Sequence, residues 1–224
     1  MNQIDQLEIY KTAGTDTRLS LSRDGYPMRI KKGQNLFNIR DRVNTVYLLI
    51  SGYVVLYREN EDHGIRNIFL LGPGDFINEI ILDGLTASIA CSALSDITVM
   101  SYSRAALLEI MKRDFAFNQK IVNSMSLKIR KLYHMLESST KPTKLDHQTS
   151  SRIWKFARDF GIQSDDCIYL PFELKITLLA GFVGSNRETV SRIVKKMATR
   201  GILSIEKGIC RIYDLDALKN FGRE

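Results

Sequence analysis

The sequence predicts an α+β chain in three parts: a front domain of short β-strands, one long helix, and a helix–turn–helix closed by a β-hairpin. Three observations carry this. Between Tyr26 and about Ser103, short β-branched and aromatic runs alternate with Gly33, Gly52, Gly64, Gly72 and Gly74, the pattern of an all-β sandwich or barrel. Near residues 114–138 apolar side chains recur at steps of three and four, the mark of a helix with a helical partner. At Gly184–Lys195 a glycine leads into an amphipathic, charged helix, as in the second half of a helix–turn–helix. The expected domain bounds are 1–112, 113–139 and 140–224.

In chain order, residues 1–25 are mixed and broken by Gly14 and Gly25, so a short helix and an irregular lead-in are expected. Strand runs follow at Met28-Arg29-Ile30, Thr45–Ile50, Tyr53–Tyr57 and Asn67–Leu71. A short helix is expected at Arg104–Leu108 and a long one at Asp114–Ser138. In the long helix Phe115, Val122, Met125, Ile129, Leu132 and Leu136 form a heptad seam with Asn118 as its polar member. Phe117, Ile121 and Leu127 flank it and can face the helix's own domain, leaving the seam for a second copy. Ser138–Lys144 is polar, and Pro142 disfavours helix at Lys141, so a hinge is placed there. Helical signals resume at Thr149–Phe160, with Ile153, Trp154, Ala157 and Phe160 inward and Gly161 as the stop.

The helix–turn–helix comes next. Leu178–Gly184 reads as its first helix running into the turn, and Gly184 supplies a turn open to positive φ. Ser185 or Asn186 caps the second helix, and Ser185 with Glu188 fits a capping box. Val190, Ile193, Val194 and Met197 share an inward face, while Arg187, Glu188, Ser191, Arg192 and Lys195 share the outward one. Arg can bond guanine O6 and N7 together, and Glu can accept from cytosine N4. Both types stand in the first turns, where a reading helix meets base edges. Two alternating apolar runs around Lys207-Gly208 then read as a β-hairpin, which makes the motif a winged helix–turn–helix. Asp214–Phe221 closes the chain as a short helix.

Composition narrows the function classes. The 224 residues carry a net charge of +7. Residues 1–110 hold 11 basic and 13 acidic groups, 111–139 hold 6 and 2, and 140–224 hold 15 and 10. The excess therefore lies with the charged helix, as phosphate neutralisation requires. No apolar run approaches membrane-spanning length, and the start lacks a signal-peptide pattern. Cys91, Cys167 and Cys210 are few and scattered, which suggests a reducing cytoplasm. There is no phosphate-binding Walker loop, no cysteine pair at zinc spacing and no nucleophile elbow, and His63, His134 and His147 are isolated. No catalytic residue and no metal ligand is expected, so the chain is not read as an enzyme.

The run Arg187-Glu188-Thr189-Val190-Ser191-Arg192 resembles the recognition helix of the CRP/FNR family of bacterial transcription regulators. The resemblance extends over nearly the whole chain. Lys32–Phe37 and Ile50–Val54 are similar to the family's β-roll, a cyclic-nucleotide-binding jelly roll, and Gly74–Glu79 resembles the opening of its phosphate-binding cassette. The chain departs from the pattern in four places. Lys175 stands where a Thr or Ser usually caps the first helix of the motif. Asn78 replaces the cassette Gly, and Ala87-Ser88 replaces an Arg-Ser pair. The N-terminal cysteine cluster of the family's iron–sulfur sensors is absent.

The resemblance implies a homodimer built on the long helix and double-stranded DNA as partner, with RNA polymerase added if the chain activates. It implies that Ser185, Asn186, Arg187, Glu188, Thr189, Ser191, Arg192, Lys195 and the wing Lys207 meet DNA, with Lys196 a further phosphate contact. Half-sites similar to TGTGA are expected for the trio Arg187, Glu188 and Arg192. An unknown small-molecule effector is expected at Asn78, Glu79, Ala87 and Ser88, facing Leu132 and Tyr133 on the long helix. In the family the cassette Glu binds a ribose hydroxyl and the Arg-Ser pair binds the cyclic phosphate. Without that Arg a buried phosphate lacks its bidentate cation, so the effector is expected not to be cyclic AMP, unless Arg40 or Arg42 replaces it. The rival reading is a cyclic-nucleotide-binding module that controls a partner enzyme or channel. The β-roll fits it and the winged helix–turn–helix does not.

Overall fold

A computed structural model describes residues 6–60, 64–140 and 144–223. The chain divides into two compact units, residues 1–58 with 69–137, and residues 59–68 with 138–224. Lys141, Pro142 and Thr143 of the expected hinge, and His63, lie outside the described residues.

Two four-stranded antiparallel sheets lie in the first unit, except that residues 59–68, the end of one strand and the start of the next, fall in the second. In one, β1 (Tyr26–Ile30), β8 (Ile97–Ser103), β3 (Thr45–Ser51) and β6 (Phe76–Ile77) are neighbours in that order. In the other the order is β2 (Asn35–Phe37), β7 (Ala90–Ala93), β4 (Val54–Asn60) and β5 (Gly64–Leu71). Strand β3 pairs with β8 from Thr45↔Ser103 to Ser51↔Thr98. Val46 to Ile50 are buried without alternation, as expected of a strand covered on both faces. The expected β-roll is the observed fold.

Two helices, α1 (Glu8–Lys11) and α2 (Thr15–Asp24), precede the strands, where the sequence suggested one. Only Thr17 and Leu21 of α2 are buried, too thin an apolar stripe to read in advance. Thr17 Oγ1 donates to the Asp114 carboxylate, tying α2 to the helices that follow. These are α3 (Arg104–Arg113), twice the length expected because Ile110 continues its buried face, and α4 (Phe115–Thr140). Phe117 and Ile121 of α4 are buried in one core with Leu21, Leu48, Phe76, Tyr102 and Leu107, and Phe117 meets the Phe76 ring edge-on at 6.3 Å. Leu127, expected to share that inward role, is exposed. So are Phe115, Val122, Ile129, Leu132 and Leu136 of the seam, while Met125 packs on the core.

In the second unit α5 (Leu145–Phe160) begins four residues earlier than expected. It buries Ile153, Phe156 and Ala157. Phe156, and not Trp154, is the aromatic anchor, with the rings of Phe172 and Phe182 edge-on at 5.9 and 5.1 Å. Trp154 is half-buried and instead carries Arg158 and Lys219 over its ring. Helices α6 (Ile176–Val183) and α7 (Arg187–Thr199) form the helix–turn–helix. Strands β11 (Leu203–Glu206) and β12 (Ile209–Ile212) form the wing, and β10 (Ile168–Tyr169) and β9 (Ile162–Gln163) extend its sheet. Helix α8 (Leu215–Asn220) closes the unit, capped by Asp214, which accepts from the Ala217 amide at 2.8 Å.

Candidate DNA interface and effector site

The turn between α6 and α7 is set by its own chemistry. Gly184 sits at φ +75, ψ 42, a left-handed cap whose amide donates to Ala180 O at 2.8 Å. Lys175, at the N-cap of α6, places no side-chain acceptor on the first turn, as its departure from the family pattern suggested. At α7 the cap is Asn186, whose Oδ1 accepts from the Thr189 amide at 2.8 Å. This corrects the Ser185–Glu188 capping box. With Asn186 as cap, Glu188 falls one residue short of the position from which a side chain can reach back, and it is left pointing outward.

Val190, Ile193, Val194 and Met197 are buried beneath α7. Asn186, Arg187, Glu188, Ser191, Arg192 and Lys195 are exposed, and Ser185 and Thr189 are half-buried. Thr189 Oγ1 accepts from Arg192 Nη2 at 3.4 Å, a weak contact that leans Arg192 toward the start of the helix. In the wing, Lys207 and Gly208 hold φ +48 and +81, the pair of positive angles that a type I′ hairpin turn needs. The Lys207 side chain is exposed at its tip. The wing turn is anchored by the Leu174 amide, which donates to Gly208 O at 2.8 Å.

The second unit also contains a support that sequence reading missed. Asn67 is buried there and donates from Nδ2 to Leu178 O of α6 at 2.9 Å. A Cβ at Gly181 would lie 2.5 Å from that amide nitrogen, and one at Gly184 would lie 1.9 Å from Arg66 Nη1. The two glycines therefore receive two side chains as well as shaping a helix and a turn. A polar pair so distant in sequence leaves no local signal.

The candidate effector site lies within the first unit. Asn78 holds φ 68, ψ 21, a left-handed conformation that Asn tolerates better than most residues. This explains how it can stand where the family has Gly. It is buried, and its Nδ2 donates to Thr45 O at 3.1 Å while Oδ1 has no hydrogen-bond partner among the described residues. Glu79 is buried, and its Oε1 accepts from Ser124 Oγ at 2.9 Å and Lys128 Nζ at 2.5 Å. Lys128 Nζ also donates to Phe76 O at 2.7 Å. Ser124 and Lys128 were not singled out from sequence. They fall between seam positions and read as ordinary polar helix residues.

Ala87 is buried, held by its amide to Asp41 O and by its carbonyl to the Arg40 amide. What Arg40 gives Ala87 is thus backbone. The side chains of Arg40 and Arg42 are exposed, as is Ser88. Leu132 and Tyr133 are exposed, at 43% and 68%, and the cassette's polar contacts to α4 fall one to two turns earlier. Deeper in, burial pushes the Asp75 carboxyl up against the opposing hydrogen bond from the Gly72 amide. Burial also pushes the Cys91 thiol up to about 12. Among the described residues no group of His, Cys, Asp and Glu is placed to hold a metal ion, and no helix is long and apolar enough to cross a membrane.

The β-roll and the winged helix–turn–helix in one chain define a class of two-domain DNA-binding regulators, and comparison with known proteins gives the same division. The sequence model of the cyclic nucleotide-binding domain matches residues 27–114, and that of the Crp-like helix-turn-helix domain matches residues 150–221. The CRP-like cAMP-activated global transcriptional regulator of Mycobacterium tuberculosis is 22% identical over 91% of each chain. The global nitrogen regulator of Synechococcus elongatus is 26% identical over 85% of this chain and 86% of its own. Among solved structures, FixK2 from Bradyrhizobium japonicum superposes with a TM-score of 0.74 at 19% identity, covering 88% of this chain and 96% of that one. A CooA mutant from Carboxydothermus hydrogenoformans gives 0.72 at 22%, covering 89% and 88%. The chain belongs to the CRP/FNR family of transcription regulators.

Proposed function

We propose that the protein is a homodimeric, effector-responsive regulator that binds palindromic DNA through α7 of each copy. The observation that carries this is the exposed arc of α7. Arg187, Glu188, Ser191, Arg192 and Lys195 face outward from a helix whose opposite face is buried. Such a helix fits a major groove, with its first residues at base edges. The second copy is supported by the seam, where Phe115, Val122, Ile129, Leu132 and Leu136 leave an apolar stripe exposed on one chain. Two-fold symmetry then sets half-sites one helical turn apart, ~34 Å. DNA as target places the protein in the cytoplasm, and RNA polymerase is the further partner if it activates. The rival module acting on an enzyme or channel leaves the exposed arc without a use.

The effector we propose at Asn78, Glu79, Ala87 and Ser88 is not cyclic AMP. Glu79 is already paired with Lys128 and accepts from Ser124, and Ala87 offers a buried methyl where a cyclic phosphate needs a cation. Leu132 and Tyr133 join such a site by lying over the cassette once α4 is paired with a second copy. In vitro selection of DNA by the full-length protein, followed by gel shifts, tests the main reading. A palindrome with G·C-containing half-sites is expected, and enrichment of no sequence would overturn it. Calorimetry with cyclic AMP and cyclic GMP tests the effector reading, which micromolar binding coupled to tighter DNA binding would overturn.

A further inference from the structure

The last turn of α7 forms one wall of a cleft in the second unit, with a volume of about 620 Å³. Its rim carries Lys144, Lys196 and Arg200 against one carboxylate, Asp146, and its floor includes Ile202 and Phe221. Asp146 Oδ2 accepts from Lys196 Nζ at 3.1 Å, and both side chains stay partly in water. Arg200 lies over the Phe221 ring at 5.2 Å. Lys144 is the N-cap residue of α5, and Asp146 stands in that helix's first turn, so the rim's single carboxylate also faces the positive end of the helix.

Helix geometry relates this cleft to the reading face. Lys196 follows Arg187 by nine positions, about 13 Å along the axis and half a rotation around it. The two residues bound the exposed arc on opposite sides. A helix entering a major groove about 12 Å wide by its first turn brings Arg187 and the middle of the arc to the base edges, and turns the later margin at Lys196 toward a groove wall, which is a phosphate strand. The Lys196 margin opens into the cleft. A small free anion would need convergent, desolvated donors to be held there. The cleft offers water-exposed cations from the start of α5 and the end of α7, which suits a strand carrying several phosphates in a row.

We infer that this cleft seats the DNA backbone beyond the half-site, with Lys144 and Arg200 joining Lys196 on successive phosphates. Asp146 is a built-in competitor that gives up Lys196 when the phosphate arrives. The inference rests on the reading that α7 docks in the major groove.

The test measures the salt dependence of binding for the full-length protein by fluorescence anisotropy. Two duplexes are used, one enriched by in vitro selection and one of random sequence. For K144Q/R200Q the log–log salt slope should fall by about 0.9 for each phosphate lost, with the preference for the selected duplex retained. D146N should tighten both duplexes several-fold at low salt, which a purely structural ion pair would not do. K144Q alone, which leaves the Arg200–Phe221 stack intact, should give half the slope change without a change in melting temperature. A wild-type slope in the double variant, with no tightening in D146N, overturns the inference while leaving groove docking in place. If inorganic phosphate raises the melting temperature of the wild type but not of the double variant, and the slope is unchanged, the cleft is a free-anion site and the inference fails. Binding of neither duplex by the wild type would overturn the docking reading and this inference with it.

Discussion

Replacing Lys128 with Met should expose how the effector site is held together. The Glu79 carboxylate is 5% exposed and Lys128 17%, so water can do little for either charge once the other is gone. Removing one partner of a buried pair costs about 3–5 kcal/mol, most of it from the charge left behind. Here Ser124 still donates to Glu79 at 2.9 Å, and Met fills the space of the Lys stem. We therefore expect a loss of about 2–4 kcal/mol, read by urea unfolding of the full-length protein with near-ultraviolet signals from the first unit. Replacing Glu79 with Gln in the same chain removes the stranded charge and should return most of that loss. A loss below about 0.5 kcal/mol, the range of an exposed pair, would refute the claim that the pair is buried and coupled. So would a deficit that Glu79→Gln does not reduce.

Other expectations follow from the same geometry. Arg187→Ala should weaken the selected duplex by roughly 1–3 kcal/mol and relax preference at one base pair in a competition gel shift; equal loss on random DNA would contradict base reading. Ile129→Glu places an unpaired charge in the seam and should convert a dimer to a monomer by light scattering at micromolar concentration. Asn186→Ala should destabilise α7 by about 1 kcal/mol through loss of its cap, whereas Ser185→Ala should change the melting curve little. Burial raises the thiols of Cys91 and Cys210 to about 12. Near pH 8.5, iodoacetamide should therefore label Cys167 and spare both until denaturant is added. A raised thiol stabilises the fold fully below the ordinary thiol range and loses that contribution as pH climbs toward 12, so alkaline melts should show falling stability there.

The elements with a strong period were legible without coordinates. Val190, Ile193, Val194 and Met197 alternate at helical spacing, and their burial leaves only one face for Arg187, Glu188 and Arg192. The wing was readable because Lys207-Gly208 sits between two alternating runs, and such a pair favours a turn of positive φ. The seam of α4 could be read as a stripe, and Phe117 and Ile121 as its inward flank, because heptad spacing fixes relative angle on a helix.

The capping residue of α7 was not decided at that level, since Ser185 and Asn186 are both good caps and a shift of one residue depends on how tightly the Gly184 turn closes. Nor was the choice of Phe156 over Trp154 as the anchor of α5, which depends on where the rings of Phe172 and Phe182 come to rest. Glu79 could be named from sequence, but its partners could not. Ser124 and Lys128 stand 45 and 49 residues away. Local pattern reports which way a side chain faces relative to its neighbours on one element. Which distant group meets it there, and whether a charge is thereby paired or stranded, depends on packing between elements, and only the tertiary structure holds that information.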